Sequence, residues 1–262
     1  MKIALITGAS SGMGKEFAFQ IAAYYQKLDE IWVIARNSRK LEEISLKNPG
    51  KFRPLALDLR DKEDRESLKE QLGKADARIK LLVNAAGVGK IGQFEKMSWE
   101  SQEEMLRLNM EALTAVTYLC LPYMRRGSRI IQMASAAAFL PQPGFDVYAA
   151  SKSYVLSFSQ ALRFELRERG ISVTAVCPGP VDTPFFDKAE EAVPMPAYKK
   201  KFMAKPKDVV KKAVRDCAIG REVSVYGGSM KALQIVSKLL PACLTVWASQ
   251  YLDHLDEDAE RK

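Results

Sequence analysis

The stretch "KIALITGASSGMG", residues 2–14, decides the fold. Four consecutive apolar residues, Ile3-Ala4-Leu5-Ile6, run into a turn that holds Gly8, Gly12 and Gly14. An unbroken apolar run of this length suits a strand covered on both faces. Glycines directly after it allow a tight change of direction and let backbone lie close to a ligand. A helix beginning there offers unpaired amides and the positive end of its dipole, which suit a pyrophosphate. The spacing, Gly8-x3-Gly12-x-Gly14, is not the common G-x-G-x-x-G, and taken alone it would serve equally as a plain strand–helix connection.

Further apolar runs of strand length lie at 31–35, 52–57, 79–84, 129–134, 171–176 and 222–226. Helical patterns lie between them, notably at 99–124 and 147–169. Strand–helix alternation repeated this often predicts an α/β fold, a parallel sheet with helices on both faces. No linker, composition break or repeat divides the 262 residues, so a single domain is expected over 1–262.

Composition narrows the function. The start, MKIALITG, does not read as a signal peptide, and no run of about 18 apolar residues predicts a membrane span. Cys120, Cys177, Cys217 and Cys243 are scattered, which points to packed thiols in a reducing, cytoplasmic setting. The single histidine, His254, lies in a charged tail, which argues against imidazole-based zinc sites and Ser-His-Asp hydrolysis. Net charge is +8, but the basic residues are dispersed among acids and no nucleic-acid motif is present. A phosphate-rich cofactor accounts for such a charge more simply.

The end of the second strand selects that cofactor. A carboxylate there would take the ribose diol of NAD. This chain has Arg36-Asn37-Ser38-Arg39 instead. A guanidinium pairs well with a 2′-phosphate, so NADP(H) is expected over NAD(H). The plainer alternative makes Arg36 a solvated charge.

"YAASK", Tyr148–Lys152, opens the second helical stretch. Residues four apart share a helix face, so Tyr148 and Lys152 are expected one turn apart. A free tyrosine titrates near pH ~10 and a neighbouring ammonium should draw that value down. By itself the pair is common and would fit two surface residues.

Together with TGASSGMG, Asp58-Leu59, Asn84-Ala85-Ala86-Gly87, Asn109, Ser135 and "CPGPVDT" at 177–183, it resembles the short-chain dehydrogenase/reductase superfamily. The motifs run in family order over about residues 1–185. The resemblance implies a single-domain Rossmann fold, a doubly wound, seven-stranded parallel sheet. It implies a hydride transfer between nicotinamide and a carbonyl or alcohol. Tyr148 would be the general acid or base, Lys152 its pKa-lowering partner on the nicotinamide ribose, Ser135 the polariser of the substrate oxygen, and Asn109 the anchor of a water leading from Lys152 to solvent. Gly8, Ser10, Ser11, Gly12, Met13 and Gly14 would hold the pyrophosphate. Asp58 and Leu59 would place the adenine, and Asn84, Ala85, Ala86 and Gly87 would pass beside the cofactor. Pro178, Gly179, Val181 and Thr183 would bind the carboxamide. One departure concerns the glycine turn, where many NADP-preferring members carry a basic residue and this chain has Ser11.

Family logic places substrate contacts in 136–145 and 184–203, where Phe139, Leu140, Phe145, Phe185 and Phe186 are candidates for an apolar pocket. A lipophilic ketone or alcohol is expected, with a 3-oxoacyl thioester as the alternative. A cofactor-binding sensor without turnover is the rival from another class. Segment 185–219 is expected to form the substrate loop, and 228–252 an apolar C-terminal extension that covers the pocket, makes a subunit contact or lies on a membrane surface. The seven lysines of 199–212 fit a solvated helix face, or less readily a dock for an acidic acyl carrier protein or an anionic membrane surface. A homodimer or homotetramer is expected, joined through helices corresponding to 100–126 and 147–169.

Overall fold

The computed structural model describes residues 1–189, 203–241, 243, 244 and 246. Lys2–Thr7 forms β1, and its alternating side chains divide the core. Ile3 and Leu5 join one apolar cluster while Ala4 and Ile6 join another. A strand sends successive side chains to opposite faces, so a run buried at every position must be covered twice. The glycine turn then leads into α1 (Gly12–Tyr24).

The chain continues through β2 (Glu30–Ala35), α2 (Ser38–Ser45), β3 (Phe52–Ala56), α3 (Lys62–Lys74) and β4 (Arg78–Asn84). Next come α4 (Trp99–Leu106), a π-helical turn (Arg107–Ala112) and α5 (Leu113–Cys120). β5 (Met124–Met133), α6 (Asp146–Glu165), β6 (Ser172–Val176), α7 (Pro184–Ala189), α8 (Pro206–Ala218), β7 (Val223–Ser224) and α9 (Gly228–Leu239) follow. The strands form one parallel sheet in the order β3-β2-β1-β4-β5-β6-β7.

One face is covered by Leu68 and Leu72 of α3, Val116 and Cys120 of α5 and Leu162 of α6. The other is covered by Phe17 and Ile21 of α1, Leu41 and Ile44 of α2 and Val210 and Val214 of α8. Each fully buried side chain of this size contributes roughly 1.5–3 kcal/mol. The fold is the Rossmann-type sheet expected, with its strand order reversing between β1 and β4. In such sheets ligands sit outside the carboxyl ends of the strands at that reversal.

Several boundaries differ from the sequence reading. The helical pattern at 99–124 ends at Cys120, because Pro122 sits in a 3-10 turn (Leu121–Tyr123) and β5 already starts at Met124. β5 was expected only from 129. Its first residues pair out of step: Ile79 faces Met124 but Leu81 faces Arg129, and Gly127, at φ +84°, lies within the irregularity. β7 is two residues long where five were expected. β3, at the opposite edge, carries Pro54. Residues 190–202 of the expected substrate loop, and 242, 245 and 247–262 including His254, lie outside the described residues. No helix among the described residues is long and apolar enough to cross a membrane.

Candidate active site

The cleft is built at the carboxyl ends of β1, β4, β5 and β6. Gly8, at φ +67°, turns the chain out of β1, and a Cβ there would fall 2.7 Å from the Ala86 backbone. A Cβ on Gly14 would fall 2.2 Å from the Gly8 carbonyl oxygen. Neither position admits a side chain. Thr7, which the sequence reading passed over, fastens the two central strand ends: its Oγ1 accepts from the amides of Ala85 (3.0 Å) and Ala86 (3.1 Å). Ser11 stands at the N-cap position of α1 without a side-chain capping bond, the first turn holds no acidic residue, and Ser10, Gly12 and Met13 complete the turn. Thr183 closes over it from the far loop, lying 3.4 Å from where a Cβ on Gly12 would be.

A bare backbone cradle, a helix N-terminus free of carboxylates, and a position at the strand-order reversal fit a dinucleotide pyrophosphate. The Pro178–Thr183 loop is held from both sides. The Pro178 carbonyl accepts from Ala136 N, and Val181 bridges to Ala204. Gly179 lies bare against Met230 of α9, whose sulfur would be 2.7 Å from a Cβ there.

Tyr148 and Lys152 do lie one turn apart on α6, both buried, at 8% and 4% exposure. The Lys152 ammonium donates to the Met133 carbonyl (2.9 Å) and sits 5.5 Å from the centre of the Tyr148 ring. The expected lowering of the tyrosine is not what this environment produces. Burial pushes the Tyr148 phenol up to about 12, with a hydrogen bond from Ser135 working the other way. Burial likewise pushes Lys152 down to about 8, opposed by the neighbouring Cys177. Desolvation penalises the charged form of each. Ser135 lies two residues past the end of β5 and caps the following 3-10 turn, its Oγ accepting from Ala137 N (3.1 Å).

Asn109 occupies the π-helical turn. Its amide donates to the Val88 carbonyl (2.8 Å) and to Ser151 Oγ (3.0 Å) and accepts from Val88 N (2.9 Å). Ser151 in turn donates to the Tyr148 carbonyl, tying Asn109 to α6. The Asn109 side chain is thus fully engaged, and a water relay there would fall to its main chain. π-helical turns disturb the regular ladder and recur at functional sites.

Two residues expected at the cofactor have side-chain partners within the protein. Asn84 turns its side chain into the core, donating to Thr117 Oγ1 and Gln132 Oε1, both at 2.9 Å. The amide contacts a buried polar network, so only its backbone borders the cleft. The Asp58 carboxylate is gripped by Arg60, through Nε at 2.9 Å and Nη2, and that guanidinium holds its pKa below the ordinary value. Leu59 is buried. Arg36 stands at the end of β2, half-exposed, 3.6 Å from Glu104. No carboxylate occupies that strand end.

On the substrate side, Phe145 stacks on the Tyr148 ring at 4.2 Å, Phe185 tilts against it at 5.5 Å, and Phe186 meets Phe185 edge-on at 5.3 Å. Gly89 makes this trio possible, since a Cβ there would lie 2.6 Å from Phe185 and 3.1 Å from both Phe145 and Tyr148. Nothing in the sequence marks Gly89 apart from its place after the Asn84–Gly87 motif. Phe139 is a correction. It packs against the cluster around Leu113, Val155 and Val225 and, with Leu156 and Val223, lines a separate groove of about 340 Å³ between α6, β7 and α9. Its 3-10 turn (Ala136–Phe139) carries it away from Tyr148. Leu140 is buried and belongs to neither cluster.

The fold and cleft define a Rossmann-type α/β protein with a buried tyrosine–lysine pair beside the nucleotide crevice. The family model for short chain dehydrogenases matches residues 2–194. A 3-oxoacyl-[acyl-carrier-protein] reductase from Thermotoga maritima is 31% identical over 192 residues, 72% of this chain and 78% of that one. Sulfoacetaldehyde reductase 2 from Chromohalobacter salexigens is 33% identical over 192 residues, 70% and 74% of the two chains. A short-chain dehydrogenase from Sphingobium yanoikuyae, solved in complex with NADPH, superposes with a TM-score of 0.76 at 27% identity, covering 91% of this chain and 94% of that one. The chain belongs to the short-chain dehydrogenase family. Its reaction class is oxidoreduction between CH–OH and C=O.

Proposed function

We propose that the chain is an NADP(H)-dependent reductase or dehydrogenase of a lipophilic ketone or secondary alcohol. The observation that carries the cofactor reading is Arg36 at the end of β2, where the strand-end segment Arg36-Asn37-Ser38-Arg39 itself holds no carboxylate. The NADPH found in the Sphingobium relative supports it. Gly8, Ser10, Ser11, Gly12, Met13 and Gly14 hold the pyrophosphate. Ala85, Ala86 and Gly87 line the cofactor's flank, and Pro178, Gly179, Val181 and Thr183 take the carboxamide. Bound NADPH supplies the hydride. Tyr148 gives the carbonyl oxygen its proton, and Ser135 donates a hydrogen bond to the same oxygen. Lys152 and Asn109 hold that phenol in place and carry the proton path behind it. The aromatic wall of Phe145, Phe185 and Phe186 favours an apolar substrate.

Tyr148→Phe tests the mechanism: turnover is expected to fall by roughly 10²–10⁴-fold with NADPH binding retained. Full turnover in that variant would exclude the assigned acid, and a signalling output that survives it would favour a sensor. Arg36→Ala tests the cofactor: NADPH affinity should drop about tenfold or more while NADH affinity holds. Equal loss for both nucleotides would overturn NADP preference. A second reading, reduction of 3-oxoacyl thioesters, is favoured by the likeness to the Thermotoga 3-oxoacyl-[acyl-carrier-protein] reductase. NADPH consumption across steroid ketones, 3-oxoacyl thioesters and small aromatic ketones separates the two.

A further inference from the structure

Arg36 does not stand free beside the expected ribose. Its Nη1 lies 3.6 Å from Glu104 Oε1, and the same oxygen accepts from Arg60 Nη1 at 2.9 Å. Arg60 is in turn locked on Asp58. Two cations and two anions therefore meet at this corner, and their formal charges cancel. The Arg60–Glu104 pair is about three-quarters buried on both sides, whereas the Arg36 side chain is 51% exposed. Glu104 is thus the fixed partner and Arg36 the one free to turn. A phosphate dianion drawn to Arg36 arrives beside a carboxylate that cannot swing away without giving up Arg60.

We propose that Glu104 is a specificity-determining, positioning residue: it orients Arg36 toward the ribose and at the same time weakens the corner's hold on a 2′-phosphate. The proposal rests on the reading of Arg36 as the phosphate ligand. Glu104→Gln keeps the shape and the acceptor toward both guanidiniums but leaves one uncompensated positive charge. The gain is that of one partly screened charge contact, about five- to tenfold in affinity.

The test is calorimetric titration with 2′-AMP and with 5′-AMP, at low and at physiological ionic strength. In Glu104→Gln, 2′-AMP should bind about five- to tenfold tighter, with less gain at the higher salt, and 5′-AMP should be unchanged. Glu104→Asp should stay near wild type. In an Arg36→Ala background, where the phosphate has lost its ligand, the Glu104→Gln gain should shrink to about twofold or less, which separates action at the Arg36 site from a general change in fold. Unchanged or weaker 2′-AMP binding in Glu104→Gln, or equal tightening of both nucleotides, would overturn the role of Glu104. If the glutamine variant does not fold, Glu104→Ser removes the same charge and is read by the same criteria. The underlying reading fails separately: wild-type protein that binds 2′-AMP no better than 5′-AMP, with Arg36→Ala altering neither, removes Arg36 as a phosphate ligand whatever Glu104 does.

Discussion

At Lys152, burial moves the ammonium from its ordinary 10.5 down to about 8. Between those values the unfolded chain holds a proton that the folded chain has released, so this group's contribution to stability rises with pH across the window. Below about pH 8 the folded protein bears the full cost of the buried charge. Lys152→Met should therefore be more stable than wild type by about 1–3 kcal/mol at neutral pH, while losing activity. The advantage should fade as the pH approaches 10.5, which denaturant melts of both proteins at neutral and alkaline pH would reveal. Tyr148 has the opposite sign. Its phenol, raised from 10.0 to about 12, keeps a proton that the unfolded chain loses, so its contribution falls as pH rises across that range. Gly89 offers a separate handle on the substrate side. Gly89→Ala presses on Phe185 and Tyr148. It should change KM for bulky ketones several-fold or more, with NADPH binding unaffected, in steady-state assays across substrates of graded size.

Among the elements, β4 joins the nucleotide crevice to the core through Asn84, Thr117 and Gln132, three side chains at most 2% exposed. Asn84→Ala strips partners from buried polar atoms and should cost about 2–3 kcal/mol of stability with little change in nucleotide affinity. Urea unfolding with parallel NADPH titration checks both halves. The strands and the glycine turn were legible because their signals are local: unbroken apolar runs, and glycines where backbone nearly touches backbone. Tyr148 and Lys152 were legible for the same reason, since four-residue spacing fixes their shared face. The π-helical turn at Asn109 was not, because its apolar pattern continues smoothly into α5. The inward turn of Asn84 and the grip of Arg60 on Asp58 depend on partners far off in sequence. The desolvation that sets the Tyr148 and Lys152 charges depends on the whole packed cleft. Phe139 misled because a residue's distance from Ser135 along the chain says nothing about which side of a 3-10 turn it occupies.

For the whole molecule, Tyr118 on α5 and Phe164 on α6 are 75% and 70% exposed. They lie on the helices expected to join subunits and support the proposed homo-oligomer. Tyr118→Glu with Phe164→Glu should shift sedimentation velocity toward a monomer. A wild-type chain that already sediments as one subunit would remove the proposal. The lysines at the start of and along α8 point to a plainer surface, with Lys205 just before the helix and Lys207 and Lys211 on it exposed, and Lys212 paired with Asp216; Lys199, Lys200 and Lys201 lie outside the described residues.

The margins of the sheet have a further consequence. At one rim Pro54 withholds an amide hydrogen, and at the other β7 is only two residues long. Neither rim offers a stretch of open hydrogen-bonding groups long enough to template a foreign strand. Crowded expression should thus drive this protein toward helix-mediated clustering before fibril growth, and a dye that reports cross-β order should stay dark while turbidity rises.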